Sequence, residues 1–218
     1  MDCPICGNKG YILLRTEDGS KIARVCECMK HRRSIRSLRS AGMADMATRY
    51  TLDAYQTDND GRRYIKATAQ KFIDADTGWF FIAGKSGSGK THICTAICIG
   101  LMERNSEIAF MPWRDESVSL KTGIKDHDWY AEKVGKLKRV PVLFIDDLFK
   151  GGSTEADVKL ALEILNTRYN DTSLRTVISC ERPLEEILRI DEALGGRIYE
   201  RSRGFMVTAP AENWRLRR

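Results

Sequence analysis

Residues 84–91 read Gly84-Lys85-Ser86-Gly87-Ser88-Gly89-Lys90-Thr91, a complete G-x-x-x-x-G-K-[ST] phosphate loop. The apolar run Trp79-Phe80-Phe81-Ile82-Ala83 precedes it and reads as a buried strand. His92 to Leu101 follows it and reads as a helix. Strand, loop and helix in that order are the setting in which this motif holds phosphate. Gly84, Gly87 and Gly89 permit the tight turn that brings backbone N–H groups to phosphate oxygens. The helix N-terminus adds partial positive charge. Lys90 is expected to reach the β- and γ-phosphates, and the Thr91 hydroxyl to ligate Mg²⁺. Lys85, Ser86, Ser88 and His92 complete the expected nucleotide contacts. A glycine-rich turn with a chance Lys-Thr is the competing reading, and it leaves the two flanks unexplained.

A second apolar strand, Pro141-Val142-Leu143-Phe144-Ile145, ends in Asp146-Asp147. An apolar strand closed by acids, at domain-length distance from a phosphate loop, is a Walker B pattern. Asp146 is expected to support Mg²⁺ and Asp147 to orient or activate the attacking water. Thr176-Val177-Ile178-Ser179-Cys180-Glu181 reads as a further buried strand whose polar end falls beside the nucleotide in a parallel sheet. Ser179 is the sensor candidate there, with Glu181 as a second choice. Ile108–Met111 and Phe205–Thr208 are the remaining strand candidates. Helices are expected over 62–75, 91–104, 115–120, 127–137, 155–170 and 184–190. Strands alternating with helices predict an α/β fold, a mostly parallel sheet with helices on both faces.

The chain has 218 residues, 42% of them hydrophobic, enough for one such core plus a small module. No stretch has the apolar length of a membrane span. The start, Met1-Asp2-Cys3-Pro4, has no apolar signal region, so a cytoplasmic protein without membrane contact is expected. The net charge of +6 is uneven: residues 1–48 carry +4, residues 197–218 carry +4 and the middle carries −2. Basic ends suit a polyanion or an acidic partner, and equally a solvated surface.

Cys3-Pro4-Ile5-Cys6 and Cys26-Glu27-Cys28 flank a predicted β-hairpin formed by Tyr11–Leu14 and Ile22–Val25. Two close cysteine pairs joined by a hairpin offer four thiolates in tetrahedral array, so a zinc module is expected over residues 1–29. His31 is a less favoured substitute ligand. So short a segment buries little apolar surface, and its folding should depend on the metal. Four thiolates on Zn²⁺ carry −2, which weakens a purely electrostatic role. Cys94 and Cys98, one turn apart, and Cys180 read as small core residues. A basic helical linker is expected over 30–48. Its Arg32, Arg36 and Arg39 share one helical face, suited to nucleic acid, to an acidic protein surface or to solvent.

Gly195-Gly196-Arg197-Ile198-Tyr199-Glu200-Arg201 puts two arginines on one helical face. From spacing alone a surface ion-pair face is preferred. The ordered set changes that. A cysteine module, a basic linker, Tyr50-Thr51-Leu52-Asp53-Ala54-Tyr55, Walker A, Walker B with Asp-Asp, the Ser179 strand and the Gly-Gly-Arg-Ile-Tyr-Glu-Arg segment together resemble the bacterial and phage replicative helicase loaders, the DnaC/DnaI-like AAA+ ATPases. The resemblance spans most of the chain. It implies an AAA+ domain over 49–218 that binds ATP and self-associates into a ring or spiral. It also implies a DnaB-type helicase and single-stranded DNA as partners, with the accessory module gripping the helicase. Carried onto this chain, Ser179 lies at sensor I. Arg197 is the expected arginine finger, with Arg201 beside it at the nucleotide. Only 17 residues follow Arg201, so a separate helical lid is missing. Arg215, within Asn213-Trp214-Arg215-Leu216, is expected to stand in for sensor II. Asp147 replaces the more usual Glu. An IstB-like transposition helper acting with a transposase shares this engine. A zinc adaptor with ATP as a structural switch, and a small-molecule kinase, fit less of the chain.

Overall fold

A computed structural model describes residues 3–16, 19–29, 32, 44–104 and 106–216, with the side chains of 44, 45 and 215 outside the description. A two-stranded antiparallel sheet comes first: β1 (Tyr11–Arg15) and β2 (Lys21–Val25), in register from Tyr11↔Val25 to Arg15↔Lys21. The Thr16 N–H donates to the Ser20 carbonyl at 3.0 Å and closes the turn. His31, Arg36 and Arg39, and with them most of the expected linker, lie outside the described residues.

The body alternates helix and strand. In chain order its elements are α1 (Ala44–Arg49), α2 (Asp60–Asp74), β3 (Trp79–Ala83), α3 (Lys90–Glu103), β4 (Ile108–Pro112), α4 (Trp113–Thr122) and α5 (His127–Arg139). Then follow β5 (Val142–Leu148), α6 (Glu155–Asn170), β6 (Arg175–Cys180), α7 (Leu184–Ile190), α8 (Glu192–Arg201) and β7 (Met206–Thr208). Helix starts carry their own signals. Asn59 caps α2 through the Arg62 N–H, Asp126 caps α5 and Asp191 caps α8. Thr154 and Asp157 form a reciprocal capping box on α6.

The five body strands form one parallel sheet in the order β4-β5-β6-β3-β7. All five residues of β3 are buried, as a sheet covered on both faces requires. Alternation sorts them: Phe80 and Ile82 pack with Ile65, Phe72 and Ile97, whereas Trp79, Phe81 and Ala83 pack with Ile164, Leu194 and Ile198. Cys94, Cys98 and Cys180 are fully buried core residues, as expected. The last strand is shorter than the sequence predicts. Phe205 instead lays its ring edge-on to Phe72 at 5.2 Å, while its carbonyl accepts the Phe81 N–H at 3.1 Å. Gly195 sits inside α8, where a Cβ would lie 2.9 Å from the Leu188 Cα, so the glycine lets α7 and α8 cross closely.

Strand order positions the chemistry. The phosphate loop leaves the C-terminal end of β3 and the acids end β5. The intervening β6 brings Ser179 between them. This is the edge of a parallel sheet where ligands bind.

Candidate nucleotide site

The phosphate loop turns through left-handed glycines, Gly87 at φ 77° and Gly89 at φ 94°, with Gly89 directly preceding α3. Lys90 is almost fully buried, and its Nζ donates to the Lys85 carbonyl at 3.0 Å across the loop. Thr91, one residue on, points its hydroxyl at both oxygens of Asp146, at 3.1 and 3.3 Å. Ser179 donates to Asp146 Oδ1 at 2.6 Å and accepts the Asp147 N–H at 2.7 Å. The five expected residues Lys90, Thr91, Asp146, Asp147 and Ser179 are thus brought together, although they come from two strands of the sheet, β5 and β6, and from helix α3.

The two acids have different surroundings. Burial pushes the Asp146 carboxyl up from its ordinary value. The Ser179 hydrogen bond opposes that, the Asp147 charge adds to it, and Thr91 and Lys90 oppose it further. Asp147 has cations at both oxygens: Lys90 Nζ lies 3.8 Å from Oδ1 and Lys150 Nζ 2.5 Å from Oδ2. Lys150 also pairs with Glu181 at 3.3 Å, and the Asp147 hydrogen bond pushes its ammonium pKa up. Asp147 itself adopts φ 55°, at the point where β5 bulges against β6.

A cleft of about 220 Å³ opens beside the loop. Ser86, Gly87, Ser88, Gly89 and His92 line it, as expected. Gly84 and Lys85 lie just outside, Lys85 contributing its carbonyl. His92 stacks on Tyr50 with ring centroids 4.7 Å apart, meets Tyr55 edge-on and places Nε2 3.0 Å from the Thr51 carbonyl. Burial lowers its pKa. The Tyr50–Tyr55 segment, a resemblance marker in the sequence, is therefore a wall of the cleft.

Of the lining residues that escaped the sequence reading, three make the contacts that shape the cleft. Arg62 is buried, stacks on Trp214 at 3.9 Å and pairs with Asp58 at 3.6 Å and Glu212 at 3.4 Å. A helical arginine beside two acids looks like surface in one dimension. Trp214 returns from the chain end, its N–H donating to the Gly87 carbonyl at 2.9 Å. Asn213 packs so tightly on Gly87 that a Cβ there would lie 2.0 Å from its Oδ1. Lys150, third, follows Asp147 by three residues, and the turn closed by its N–H on the Asp147 carbonyl at 2.9 Å brings their side chains into contact. The Arg215 side chain lies outside the described residues.

The expected arginines do not line the cleft of their own chain. Arg197 donates to Asn166 Oδ1 at 3.0 Å and to the Ala193 carbonyl at 2.9 Å, against α6. Arg201 donates to the Thr172 carbonyl at 3.2 Å and lies over Trp79. Trp79 begins β3, so Arg201 sits at the end of the sheet away from the phosphate loop.

Cys3, Cys6, Cys26 and Cys28 converge, their sulfurs all within 4.8 Å of one another. The pairs Cys3–Cys26 and Cys6–Cys28 are 3.8 and 3.5 Å apart. Four sulfurs about 2.3 Å from a common zinc stand roughly 3.8 Å apart in a tetrahedron, so the donor set fits that ion. The Gly10 N–H donates to Cys6 Sγ at 3.4 Å and, as the largest influence, holds its pKa down to about 6. Burial and the other thiols push Cys28 up to about 12. Thiols this crowded need a cation before all four can ionise. Arg32 donates to the carbonyl and side chain of Asn8, beside the cysteines.

Among the described residues no helix is long and apolar enough to cross a membrane. Comparison with known proteins agrees with the geometry. The phage-like element PBSX protein XkdC of Bacillus subtilis (strain 168) is 29% identical over 94% of this chain and 81% of its own length. The replicative helicase loader DnaC of Escherichia coli (strain K12) is 22% identical over 77% of this chain and 69% of its own. The crystal structure of DnaI superposes with a TM-score of 0.63 at 21% identity, covering 78% of this chain and 92% of that one, a likeness of fold. The family model described as IstB-like ATP binding protein matches residues 22–203. With its phosphate loop, paired acids and five-stranded parallel sheet, this chain belongs to the IstB-like family of ATP-binding proteins, on a DnaC-type AAA+ ATPase domain.

Proposed function

We propose that this chain is an ATP-dependent loader that binds a hexameric DnaB-type helicase and helps place it on single-stranded DNA. The observation that carries this reading is the cysteine hairpin ahead of the ATPase body. Its thiols occupy its interior, so Ile5, Leu13 and Val25 face solvent at 69%, 62% and 62% exposure. Apolar side chains clustered outward on a small polar module suit protein docking. In this reading residues 1–29 are the helicase grip, held by Zn²⁺ on Cys3, Cys6, Cys26 and Cys28. Residues 30–48 connect it to an ATPase domain over 49–218.

Within that domain, ATP lies along the phosphate loop with Lys90 on its β- and γ-phosphates. Thr91 and Asp146 would hold Mg²⁺, which would supply charge neutralisation of the phosphates. Asp147 orients and activates water, and Ser179 holds both acids in place. Arg197, from a neighbouring copy in a ring or spiral, acts on the γ-phosphate after exchanging its Asn166 contact, with Arg201 supporting that interface. Arg215 reaches the nucleotide from the returning chain end.

The test is a pull-down of replicative helicase on this protein with ATP and single-stranded DNA, beside a transposase control. Helicase retention that is lost when the cysteine hairpin is deleted supports the loader. The family match favours a second reading, an IstB-like helper ATPase for transposition, and retention of the transposase alone would establish it.

A further inference from the structure

The ion pairs around Asp147 assign a task to Lys150. This inference rests on reading Asp147 as the residue that activates water. Lys150 stands between two carboxylates, 2.5 Å from Asp147 Oδ2 and 3.3 Å from a Glu181 oxygen. It is half-buried, its side chain 37% exposed, so its ammonium reaches both acids without being locked in the core. The backbone around it forms a turn, with the Lys150 N–H donating to the Asp147 carbonyl at 2.9 Å and the Gly152 N–H to the Phe149 carbonyl at 3.2 Å. Phe149 is buried at φ 61° with its ring edge-on to Trp113 at 5.4 Å. Gly151 and Gly152 follow, at φ 91° and 135°, with open space where side chains would be. A lysine between a fixed aromatic and two open glycines can change acids without moving β5.

We propose that Lys150 is a positioning residue that restrains ATP hydrolysis. It holds the Asp147 carboxylate off the attacking water until Glu181 takes the ammonium. Lys150 holds Oδ2 at 2.5 Å, and Lys90, which faces Oδ1 at 3.8 Å, is the cation that turns to the phosphates when ATP binds, so Lys150 is the restraint that remains on the carboxylate. Drawing Lys150 to Glu181 frees Oδ2, and no bond is made or broken in the exchange. A phosphate contact by Lys150 is the competing role, because Lys150 also lines the cleft.

Three variants separate these roles at saturating Mg-ATP. Lys150→Ala should raise kcat by about fivefold, the size of one partly exposed ion pair, with KM within twofold of wild type. Lys150→Arg keeps the charge and should return kcat towards wild type. Glu181→Gln removes the competing acid, leaves Lys150 wholly on Asp147 and should lower kcat. Added salt should raise wild-type kcat and leave Lys150→Ala unchanged, since a half-buried pair is partly screened. Opposite signs for Lys150→Ala and Glu181→Gln are the signature, because mere damage to the loop would lower both. A fall in kcat for Lys150→Ala, or a raised KM at constant kcat, overturns the proposal, the latter in favour of phosphate binding. Failure of the underlying reading looks different: Asp147→Asn would then hydrolyse ATP at the wild-type rate.

Discussion

Replacing Ser179 by alanine tests the centre of the site. The side chain is fully buried and makes two hydrogen bonds, to Asp146 Oδ1 at 2.6 Å and from the Asp147 N–H at 2.7 Å. Alanine leaves that N–H without an acceptor, a loss of about 1–3 kcal/mol. It also removes a charge-assisted bond from Asp146, worth roughly 1.5–3 kcal/mol in general. Thr91 recovers part of this, since its hydroxyl already addresses both Asp146 oxygens. A net loss of about 2–4 kcal/mol follows, or a Tm lower by roughly 5–15 °C for a domain of this size. The effect has a pH signature. Burial holds the Asp146 pKa above its ordinary 3.8, and Ser179 is the strongest influence pulling it back. A carboxyl raised on folding favours the folded state while protonated. That advantage is complete below 3.8 and disappears as pH rises through the raised value. Removing Ser179 pushes the carboxyl higher still, so the deficit should be greatest near neutral pH and shrink as pH falls towards 4. Asp147 is held at φ 55° by the same hydroxyl, a left-handed conformation that Asp tolerates better than most residues. Its loss should lower kcat about tenfold or more, with a smaller change in KM. Thermal melts across pH 4–8 and steady-state ATPase rates measure both effects. A variant melting within about 2 °C of wild type at pH 7, with unchanged kcat, would show that Ser179 does not organise the acids.

Lys90→Ala removes the buried ammonium beside the phosphate loop and should abolish ATP-dependent function; calorimetry showing unchanged Mg-ATP affinity would contradict the assignment. Chelating zinc should erase amide protection over residues 3–29 and leave the sheet core intact, and protection that survives metal removal, or native protein containing no zinc, argues against a metal-held hairpin. Burial lowers the His92 pKa, so His92 adds stability that is present above its ordinary 6.5 and lost as pH falls through the lowered value. His92→Asn should flatten that part of the Tm-against-pH curve, and an unchanged slope would place its origin elsewhere. Gly195→Ala puts a Cβ 2.9 Å from the Leu188 Cα and should cost about 1–3 kcal/mol in a denaturant titration; a neutral result would mean that the α7–α8 crossing relaxes freely.

Much of the fold was legible because its signals are local. The expected helix over 155–170 coincides with α6, whose Thr154 and Asp157 box marks its start, and the expected 184–190 coincides with α7. The phosphate loop and paired acids were legible because each is a short motif fixed to one strand end. The cleft walls were not. Arg62 is fixed in the cleft wall because Glu212, 150 positions later, and Trp214 fold back onto it. Lys150 reaches Asp147 through the turn after β5, where its N–H donates to the Asp147 carbonyl at 2.9 Å. Arg197 and Arg201 were placed by resemblance, and their partners within the chain are Asn166, Ala193 and Thr172 rather than anything in the cleft. Periodicity locates a residue on its own element. It carries no information about a contact that depends on where a distant element returns.

The adjacent acids differ because of their neighbours rather than their chemistry. Of the two adjacent acids, Asp147 is the one that ion pairs reach, from Lys90 and Lys150. Asp146 has hydroxyl donors instead, from Thr91 and Ser179, and burial already disfavours its charge. A divalent cation therefore gains more at Asp146, where it would relieve a desolvated carboxylate, than at Asp147, where it would face two ammonium groups. Thr91 points from the phosphate side at that same carboxylate, so a cation there would touch loop and acid together. Asp147, at φ 55° and paired with its lysines, would in the proposed site stand beside the water. One strand, β6, enforces this division, because a single hydroxyl on it holds the side chain of the first acid and the backbone of the second.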